Sequence, residues 1–366
     1  MSPGRSVLYA AHTAALKGSA VSLGQLILGL DRGRFEPAVV FSKPGYWVHH
    51  LGERGVPCHV LRGRGFWGWR LVSEAKAVMD RAGVDLVHLN SAVPFCKYVG
   101  IAARLRRIPV IWHIREDPGS RRVRRLKKWV RVLADRVFVV SSELERFFDG
   151  FPVVKVFNGV DVDRFRPDLK GDGFRERFHI PAEAFVFGIV GTIEERKGTL
   201  AFLRAAEEVA RSAPDARFAV IGDGMAEDVE TVRRYLSERA RLASRVVLTG
   251  RLEEIHRVLA ELDVLVMPSL WEGFPRSLIE AMACGRAAIA SDVGEVPFIL
   301  EGGRCGMVIP RGDHRALVEA MARCLSDRDA LREMGRSARE RVASRFSLQQ
   351  HVGVVQAEYL KLLASR

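Results

Sequence analysis

The feature that most restricts the fold of this sequence is an alternation of short β-branched runs with longer segments of helical period, which occurs in two series along the 366 residues. Alternating strands and helices build parallel sheets with crossover helices, and this length corresponds to about two domains. The sequence therefore predicts two doubly wound α/β domains. The predicted strands are residues 6–10, 38–41, 86–89, 110–113 and 136–140 in the first series and 185–190, 217–221, 245–248, 264–267 and 287–290 in the second.

The predicted boundary between the two domains is the segment 168–182, which is rich in Asp, Gly and charged residues. We therefore expect an N-terminal domain of residues 1–168, a C-terminal domain of residues 183–347 and a last helix near residues 348–363. Ligands of open parallel sheets bind at the carboxyl ends of the strands, so candidate functional residues are sought there.

Composition excludes several classes of protein. The chain is 48% apolar and 28% charged, which is unlike a disordered or collagen-like protein. Its five cysteines are scattered and form no CxxC pair, so neither a disulfide framework nor a zinc site is expected. No segment approaches the ~20 apolar residues of a membrane-spanning helix, and the N-terminus does not resemble a signal peptide, so we expect a cytoplasmic protein.

The net charge of +13 lies in the first half of the chain. Residues 1–168 hold 28 basic and 15 acidic side chains, whereas residues 169–366 hold 29 of each. The excess is concentrated in residues 104–136, which carry 12 basic and 3 acidic side chains. Such a patch indicates an anionic partner such as phospholipid, nucleic acid or an anionic substrate.

The strongest chemical signal is the string EGFPRSLIE, from Glu272 to Glu280, which follows the predicted strand 264–267. A loop that leads into a helix presents free backbone N–H groups and a positive dipole end, which suit a diphosphate. Glu280, one turn inside the helix, is placed to bind ribose hydroxyls, and Glu272 is placed to reach a sugar hydroxyl. Either glutamate alone is equally well a surface residue, but the whole string favours a nucleotide-sugar site.

This string resembles the E-x7-E motif of the retaining GT-B glycosyltransferases of family GT4. Further segments resemble family motifs in the same order along the chain. They are NGVD at residues 158–161, GIVGTIEERKG at 188–198, VIGDG at 220–224 and VLTG at 247–250.

The resemblance implies the GT-B fold, in which two Rossmann-like domains face each other across a cleft and the last helix packs back on the first domain. It implies retaining transfer from a UDP- or GDP-sugar bound by the second domain to an acceptor bound by the first, without a metal or other cofactor. It implies catalytic roles for His113, Lys197, Arg196 and Glu272. The residues that it implies for donor binding are Gly18, Gly191, Thr192, Arg196, Lys197, Gly222, Gly273, Phe274, Ser277, Leu278 and Glu280.

The basic pair Arg196 and Lys197 has a physical reason, because a leaving diphosphate gains negative charge that fixed cations stabilise. A solvated pair at a helix start is the alternative. Thr192 stands where many family members have Arg, and Lys17 replaces a family glycine before Gly18, so the match is incomplete there. His113 ends a predicted strand where the family has a His near the donor sugar, and a buried core histidine is the alternative.

Motifs for other chemistries are missing from the sequence. No GxGxxG follows a first strand, and neither GxxxxGK[ST] nor GxSxG occurs. No Asp-x-Asp follows a strand to hold a divalent metal, so a metal-independent enzyme is expected.

A basic stretch, which begins at Arg121 and ends at Arg136, has helical period with its apolar residues on one face. It is either a helix that lies on an anionic membrane or a core-facing helix with a solvated basic face. The segment 62–70 adds aromatic residues and arginines in a Gly-rich loop, which suits a membrane interface or an acceptor sugar. Nucleic acid is the least favoured partner, since it leaves the second half unexplained.

The sequence thus predicts a glycosyltransferase whose acceptor is a lipid-linked glycan or glycolipid, as in cell-envelope polysaccharide synthesis, located in the cytoplasm or on the inner face of the membrane. Two alternatives stay open. One is a sugar-nucleotide epimerase on the same fold, and the other is a non-catalytic module that binds sugar nucleotides or lipid.

Overall fold

The structure, a computed structural model, describes residues 4–16, 18–63, 68–169, 171 and 173–365. The chain divides into two compact units. The first is Met1–Gly159 together with Leu348–Arg366, and the second is Val160–Ser347. The segment 168–182, where we placed the linker, belongs to the second unit. Each unit holds a parallel sheet with crossover helices, which confirms the predicted fold class of two Rossmann-like domains.

Within its described residues, the first unit has seven parallel strands and, before residue 160, six helices. The strands are β1 (Arg5–Ala11), β2 (Phe35–Phe41), β3 (Cys58–Val60), β4 (Leu86–Asn90), β5 (Val110–Ile114), β6 (Arg136–Val139) and β7 (Val153–Lys155). The helices are α1 (Gly18–Leu28), α2 (Tyr46–Gly52), α3 (Gly68–Ala82), α4 (Pro94–Leu105), α5 (Arg121–Leu133) and α6 (Ser142–Phe147). The strand order is β3-β2-β1-β4-β5-β6-β7. Strands β4 and β5 are buried along their whole length, as expected for strands covered on both faces.

The second unit has six parallel strands and nine α-helices within its described residues. The strands are β8 (Phe185–Val190), β9 (Ala216–Ile221), β10 (Val246–Gly250), β11 (Val264–Met267), β12 (Ala287–Ser291) and β13 (Met307–Ile309). The helices are α7 (Phe174–Arg177), α8 (Thr199–Ser212), α9 (Ala226–Ser237), α10 (Ala240–Ala243), α11 (Ile255–Glu261), α12 (Arg276–Ala283), α13 (Val296–Ile299), α14 (His314–Ser326) and α15 (Arg328–Arg345). The strand order β10-β9-β8-β11-β12-β13 reverses direction between β8 and β11, and ligands of such sheets bind at that point.

The last helix, α16 (Leu348–Ala364), belongs to the first unit. Its buried residues Val352, Val355, Tyr359 and Leu362 join the hydrophobic core that covers β1 and β2. The Tyr359 hydroxyl lies 2.6 Å from Nδ1 of His88 on β4 and donates to the Tyr9 hydroxyl on β1 at 3.1 Å. Helix α16 is therefore fixed to the central strands by both apolar packing and hydrogen bonds.

Helix α5 confirms the predicted apolar stripe. Val123, Leu126, Val130 and Leu133 are buried, and the Ser120 hydroxyl caps the helix by accepting from the Val123 amide at 3.3 Å. The stripe packs in the core of the first unit, so the core-facing interpretation of the apolar face is correct. Arg136, the last residue of the basic stretch, is half-buried and pairs with Glu358 of α16 at 3.1 Å, so it is not part of an exposed basic surface.

Candidate active site

The loops that follow β8 and β11 meet because these two strands are neighbours in the second sheet. The β8 loop ends in a short 3₁₀ turn, Glu195–Lys197, and Gly198 then begins α8 with φ 76°. A Cβ atom at Gly198 would lie 2.2 Å from the Pro268 carbonyl oxygen, so only glycine fits between the loops. The Leu270 amide donates to the Arg196 carbonyl at 2.8 Å and locks the two loops together.

Lys197 and Glu272 form the central contact of this site. The Lys197 Nζ atom lies 2.6 Å from Glu272 Oε1, and the Ser269 hydroxyl donates to the same oxygen at 3.0 Å. Glu272 is only 6% exposed, so its carboxylate is held by these partners in a largely water-free position. The sequence reasoning placed both charged residues at this sheet edge but missed Ser269, whose spacing of three residues before Glu272 in a turn was the available signal.

Arg196 is held mainly by partners other than Glu272. Its guanidinium donates to the Trp271 carbonyl at 2.9 Å and to Glu194 Oε1 at 2.5 Å, while Glu272 Oε1 lies 3.8 Å away. The side chain is also more exposed than that of Lys197. Of the basic pair, Lys197 is therefore the cation bound most directly to the buried carboxylate.

Helix α12 carries Glu280 one turn from its N-terminus. Glu280 is buried and its Oε1 accepts from the Arg276 guanidinium at 2.6 Å. Arg276 is a site residue that sequence reasoning missed, although its i, i+4 spacing to Glu280 indicates such a pair. Ser277 is half-buried in the first turn of the same helix. The structure thus places a carboxylate and a guanidinium together in the first two turns of α12.

Phe274 and Leu278 are placed differently from the other predicted donor-binding residues. The Leu278 side chain is fully buried, and Phe274 packs edge-on against Phe346 with ring centroids 5.3 Å apart. The Gly273 carbonyl accepts from the Glu295 amide at 3.2 Å, which fixes the loop. The side chains of Phe274 and Leu278 therefore serve packing in the second unit.

The glycine turns after β8 and β9 touch each other. A Cβ atom at Gly222, whose φ is 143°, would lie 1.9 Å from the Gly191 carbonyl oxygen. The Gly222 amide donates to the Gly250 carbonyl at 3.0 Å, which joins the turn after β10 to the same edge. Thr192, which replaces the family arginine, is exposed beside this contact.

Two predicted site residues lie in the first unit. Gly18 begins α1 and is exposed, while Lys17 lies outside the described residues. His113 on β5 is fully buried, and its Nδ1 atom lies 3.2 Å from the Arg115 guanidinium. The structure thus brings together the second-unit residues named above and places His113 and Gly18 in the first unit.

Comparison with known proteins gives two family matches. The model described as Glycosyltransferase Family 4 matches residues 16–164, and the model described as Glycosyl transferases group 1 matches residues 184–327. The chain is a group 1, family 4 glycosyltransferase. The resemblance drawn from its sequence motifs is therefore confirmed.

Two named glycosyltransferases are similar to the enzyme over most of their length. The Escherichia coli protein named UDP-Gal:alpha-D-GlcNAc-diphosphoundecaprenol alpha-1,3-galactosyltransferase is 27% identical over 308 residues, which cover 79% of this chain and 78% of the relative. The lipopolysaccharide core biosynthesis mannosyltransferase LpsB of Rhizobium meliloti strain 1021 is 28% identical over 351 residues, 93% of this chain and 90% of the relative. Nucleotide-sugar-dependent glycosyl transfer is the activity of the enzyme.

Among solved structures, Anabaena HepE in complex with UDP and glucose has a TM-score of 0.84, with 20% identity over 97% of this chain and 99% of that chain. Likeness at this identity shows the fold. Within the residues that the structure describes, no group of three His, Cys, Asp or Glu side chains is arranged to hold a metal ion. No described helix has both the length and the apolar character needed to cross a membrane.

The buried histidines of the enzyme predict a pH dependence of its stability. Burial, and then the nearby Arg115 charge, hold the pKa of His88 and of His113 well below 6.5. The folded state keeps both rings neutral, whereas the unfolded chain binds protons below about pH 6.5. The contribution of these two histidines to the free energy of unfolding is therefore fully present above about pH 6.5. It is lost as the pH drops, by up to about 1.4 kcal/mol per pH unit for each histidine.

Urea unfolding between pH 7.5 and pH 5 measures this effect. We expect His113→Gln to unfold with a shallower pH dependence than the wild type, because one buried proton-binding group is gone. The control is His49→Gln, since His49 is exposed on α2. Equal slopes for the wild type and His113→Gln would show that His113 is not held neutral.

Proposed function

We propose that the enzyme transfers a sugar with retention, without a metal ion, from a nucleoside diphosphate sugar bound by its second unit to a lipid-linked glycan or glycolipid. The observation that carries the donor assignment is the Lys197–Glu272 contact of 2.6 Å at the point where the strand order of the second sheet reverses. There a cation and a sugar-orienting carboxylate lie beside the N-terminus of α12.

In the proposed reaction, an acceptor hydroxyl oxygen bonds to the anomeric carbon while the bond from that carbon to the diphosphate oxygen breaks. The hydroxyl proton passes to the departing diphosphate, which leaves from the face that the acceptor enters. Lys197 and the N–H groups at the start of α12 stabilise the charge that develops on the diphosphate. Glu272 is held by Lys197 and Ser269, so it orients a sugar hydroxyl and does not attack.

The acceptor class is inferred from the relatives. The name of the E. coli relative gives a diphosphoundecaprenol-linked GlcNAc as its acceptor, and the R. meliloti relative is named for lipopolysaccharide core biosynthesis. HepE was crystallised with UDP and glucose and also with UDP-glucose. UDP-sugars are therefore the first donors to test, and GDP-sugars are the next.

The decisive experiment has two stages. A thermal-shift screen of nucleotide sugars identifies the donor, because a ligand that binds the folded state raises its apparent stability. The labelled donor is then incubated with polyprenyl-diphosphate sugars and glycolipids. Label in the lipid product supports the proposal, whereas an altered free sugar nucleotide indicates an epimerase. Donor binding without turnover on any acceptor, and without hydrolysis, indicates a binding module.

Metal independence leads to a direct expectation. Activity should persist in excess EDTA, because Lys197, Arg196 and the α12 N-terminus supply fixed positive charge at the proposed diphosphate position. The rate of sugar transfer is measured with and without chelator, and a matched sample receives EDTA neutralised with excess magnesium. Complete loss of activity that magnesium or manganese restores would contradict this part of the proposal.

The two glutamates are expected to act on different parts of the donor. Glu280→Gln should weaken binding of both free UDP and the UDP-sugar, because the ribose is common to both. Glu272→Gln should weaken only the sugar nucleotide, and it leaves Lys197 free to meet the diphosphate. Calorimetric titration with each ligand measures the division, and equal weakening of free UDP by the two variants would contradict it.

We also propose that the first unit docks on an anionic membrane through the exposed side of α5. Arg124, Arg125, Lys128 and Arg131 are exposed there, together with Trp129. The buried apolar stripe of α5 cannot take part, so attraction rests on charge and on aromatic side chains at the interface.

Side chains of helix α4 contact both α5 and the first residue of α3. The Lys97 ammonium lies 4.7 Å from the Trp129 ring centroid and 4.4 Å from that of Tyr98. The Tyr98 ring packs against Gly68, so closely that a Cβ atom at Gly68 would lie 2.0 Å from it. Trp69 follows and is 65% exposed, whereas Phe66 and Trp67 of the predicted aromatic loop lie outside the described residues. This continuity supports one basic and aromatic surface on the first unit.

A further inference from the structure

The Arg276–Glu280 pair of α12 has an order that does not favour the helix itself. Arg276 is the first residue of α12, so its positive charge lies at the positive end of the helix dipole. In pairs with i, i+4 spacing, the arrangement that stabilises a helix places the acidic residue before the basic one. This pair has the opposite order, so the intrinsic stability of α12 does not explain it.

The pair is also enclosed by the protein. The side chains of Arg276 and Glu280 are 13% and 11% exposed. On α14, Arg315 and Glu319 have the same spacing and the same order, but their side chains are 89% and 62% exposed. An exposed pair contributes little because water screens it, whereas removal of one partner from a buried pair leaves a buried charge uncompensated. The Arg276 guanidinium therefore both compensates and fixes the Glu280 carboxylate.

The two oxygens of the Glu280 carboxylate have different surroundings. Oε1 accepts from the Arg276 guanidinium at 2.6 Å. Within the part of the chain that the structure describes, Oε2 accepts no hydrogen bond, and it does not belong to the fully buried side-chain atoms that lack a partner. Oε2 is therefore in contact with solvent. The carboxylate thus has one oxygen fixed inside the protein and one oxygen open to a ligand.

The chemistry of Oε2 decides which part of a nucleotide it suits. A carboxylate that is paired with a guanidinium is only a hydrogen-bond acceptor, so its partner must be a donor. Ribose hydroxyls are such donors, whereas the oxygens of a diphosphate are negatively charged acceptors that a carboxylate repels. The open oxygen of Glu280 therefore suits the ribose and not the diphosphate.

We propose that Arg276 is a positioning residue for nucleoside recognition: it holds Oε1 of Glu280, so that Oε2 is presented to a ribose hydroxyl, and it acts on the donor through Glu280 alone. The ion pair is a property of the second unit by itself. Its use in the reaction rests on the proposed function, in which Glu280 binds the ribose. Selectivity for ribose over deoxyribose then depends on both residues and not on Glu280 alone.

Calorimetric titration of the full-length enzyme with UDP and with 2′,3′-dideoxy-UDP measures this selectivity. GDP and its dideoxy form replace them if the thermal-shift screen identifies a GDP-sugar. We expect the wild type to bind the ribose form about 10- to 100-fold more tightly, because the dideoxy form lacks a hydrogen bond to a charged group. Arg276→Met should lower this ratio by about 10-fold, through weaker binding of the ribose form. The control is Arg315→Met, which removes the exposed counterpart and should leave the ratio unchanged. An unchanged ratio in Arg276→Met overturns the proposal.

A double-mutant cycle with Glu280→Gln tests whether Arg276 acts through Glu280. We expect Arg276→Met to weaken UDP binding in the wild-type background and to add little in the Glu280→Gln background. Equal weakening in the two backgrounds overturns the proposal, because a direct contact with the diphosphate or a general loss of structure gives that result. If Arg276→Met does not fold, Arg276→Gln takes its place, since Gln also removes the charge.

The wild-type enzyme separates this proposal from the proposed function. Failure to bind any nucleoside diphosphate or nucleotide sugar contradicts the proposed function and overturns this proposal with it. Binding of UDP together with equally tight binding of the dideoxy form overturns only the role of the Arg276–Glu280 pair.

Discussion

Lys197→Ala should lower kcat roughly 30- to 900-fold at saturating donor, which corresponds to about 2–4 kcal/mol of lost transition-state stabilisation. Lys197 lies 2.6 Å from the buried Glu272 carboxylate. The leaving diphosphate gains negative charge in the transition state, so it competes for the Lys197 ammonium most strongly at that moment. The interaction is therefore greater in the transition state than in the ground state, and the loss appears in kcat.

Arg196→Ala is the matched control for this prediction. Arg196 is the next residue in the chain and has the same charge, but it is bound to Glu194 and to the Trp271 carbonyl, so we expect a smaller loss of kcat. Thermal unfolding of both variants separates catalysis from stability, because Lys197→Ala leaves Glu272 without its closest cation. An unchanged kcat for Lys197→Ala at saturating donor would remove Lys197 from the proposed chemistry.

The alternation of strands and helices was sufficient to predict the fold class, because strands that are buried on both faces of a parallel sheet read as nearly continuous apolar runs between the helical segments. The three strands that sequence analysis missed, β3, β7 and β13, are three residues long each. Runs this short carry too few residues to show a period. Helix α7 lies in the segment read as a linker, and Glu261 accepts hydrogen bonds from the Phe174 and Arg175 amides at its start. Such long-range contacts leave no local pattern in the sequence.

The site was predictable where charge and loop chemistry coincide. Glu272, Glu280 and the basic pair follow strand ends, and the sheet order brings Lys197 to Glu272. The burial of Leu278 and Phe274 was not predicted from the sequence. An apolar residue type is equally common beside a ligand and in a core, so the residue type alone does not distinguish the two positions. The contact of Arg115 with His113 was also not predicted, since it depends on how Asn90 and Asn158 orient the Arg115 side chain.

Reversing the charge of Arg124, Lys128 and Arg131 to Glu should abolish binding of the enzyme to anionic vesicles. The three side chains are exposed at i, i+4 and i+7 on α5, so they lie on one side of the helix. Each basic residue near an anionic surface contributes about 1 kcal/mol, and replacement by Glu substitutes repulsion. Donor binding should be unchanged, because the residues that we assign to the diphosphate belong to the second unit.

Flotation with phosphatidylglycerol vesicles at low and at physiological salt measures the effect. We expect the wild type to float, less so at higher salt, because exposed charges are screened beyond about 8 Å at physiological ionic strength. The control reverses Arg315, Arg332 and Arg336, three exposed arginines of the second unit, with the same change in net charge. Retained binding in this control and loss in the α5 variant locates the contact on α5. A wild-type enzyme that stays at the bottom of the gradient at low salt would make the basic side of α5 a solvated surface and favour a soluble acceptor.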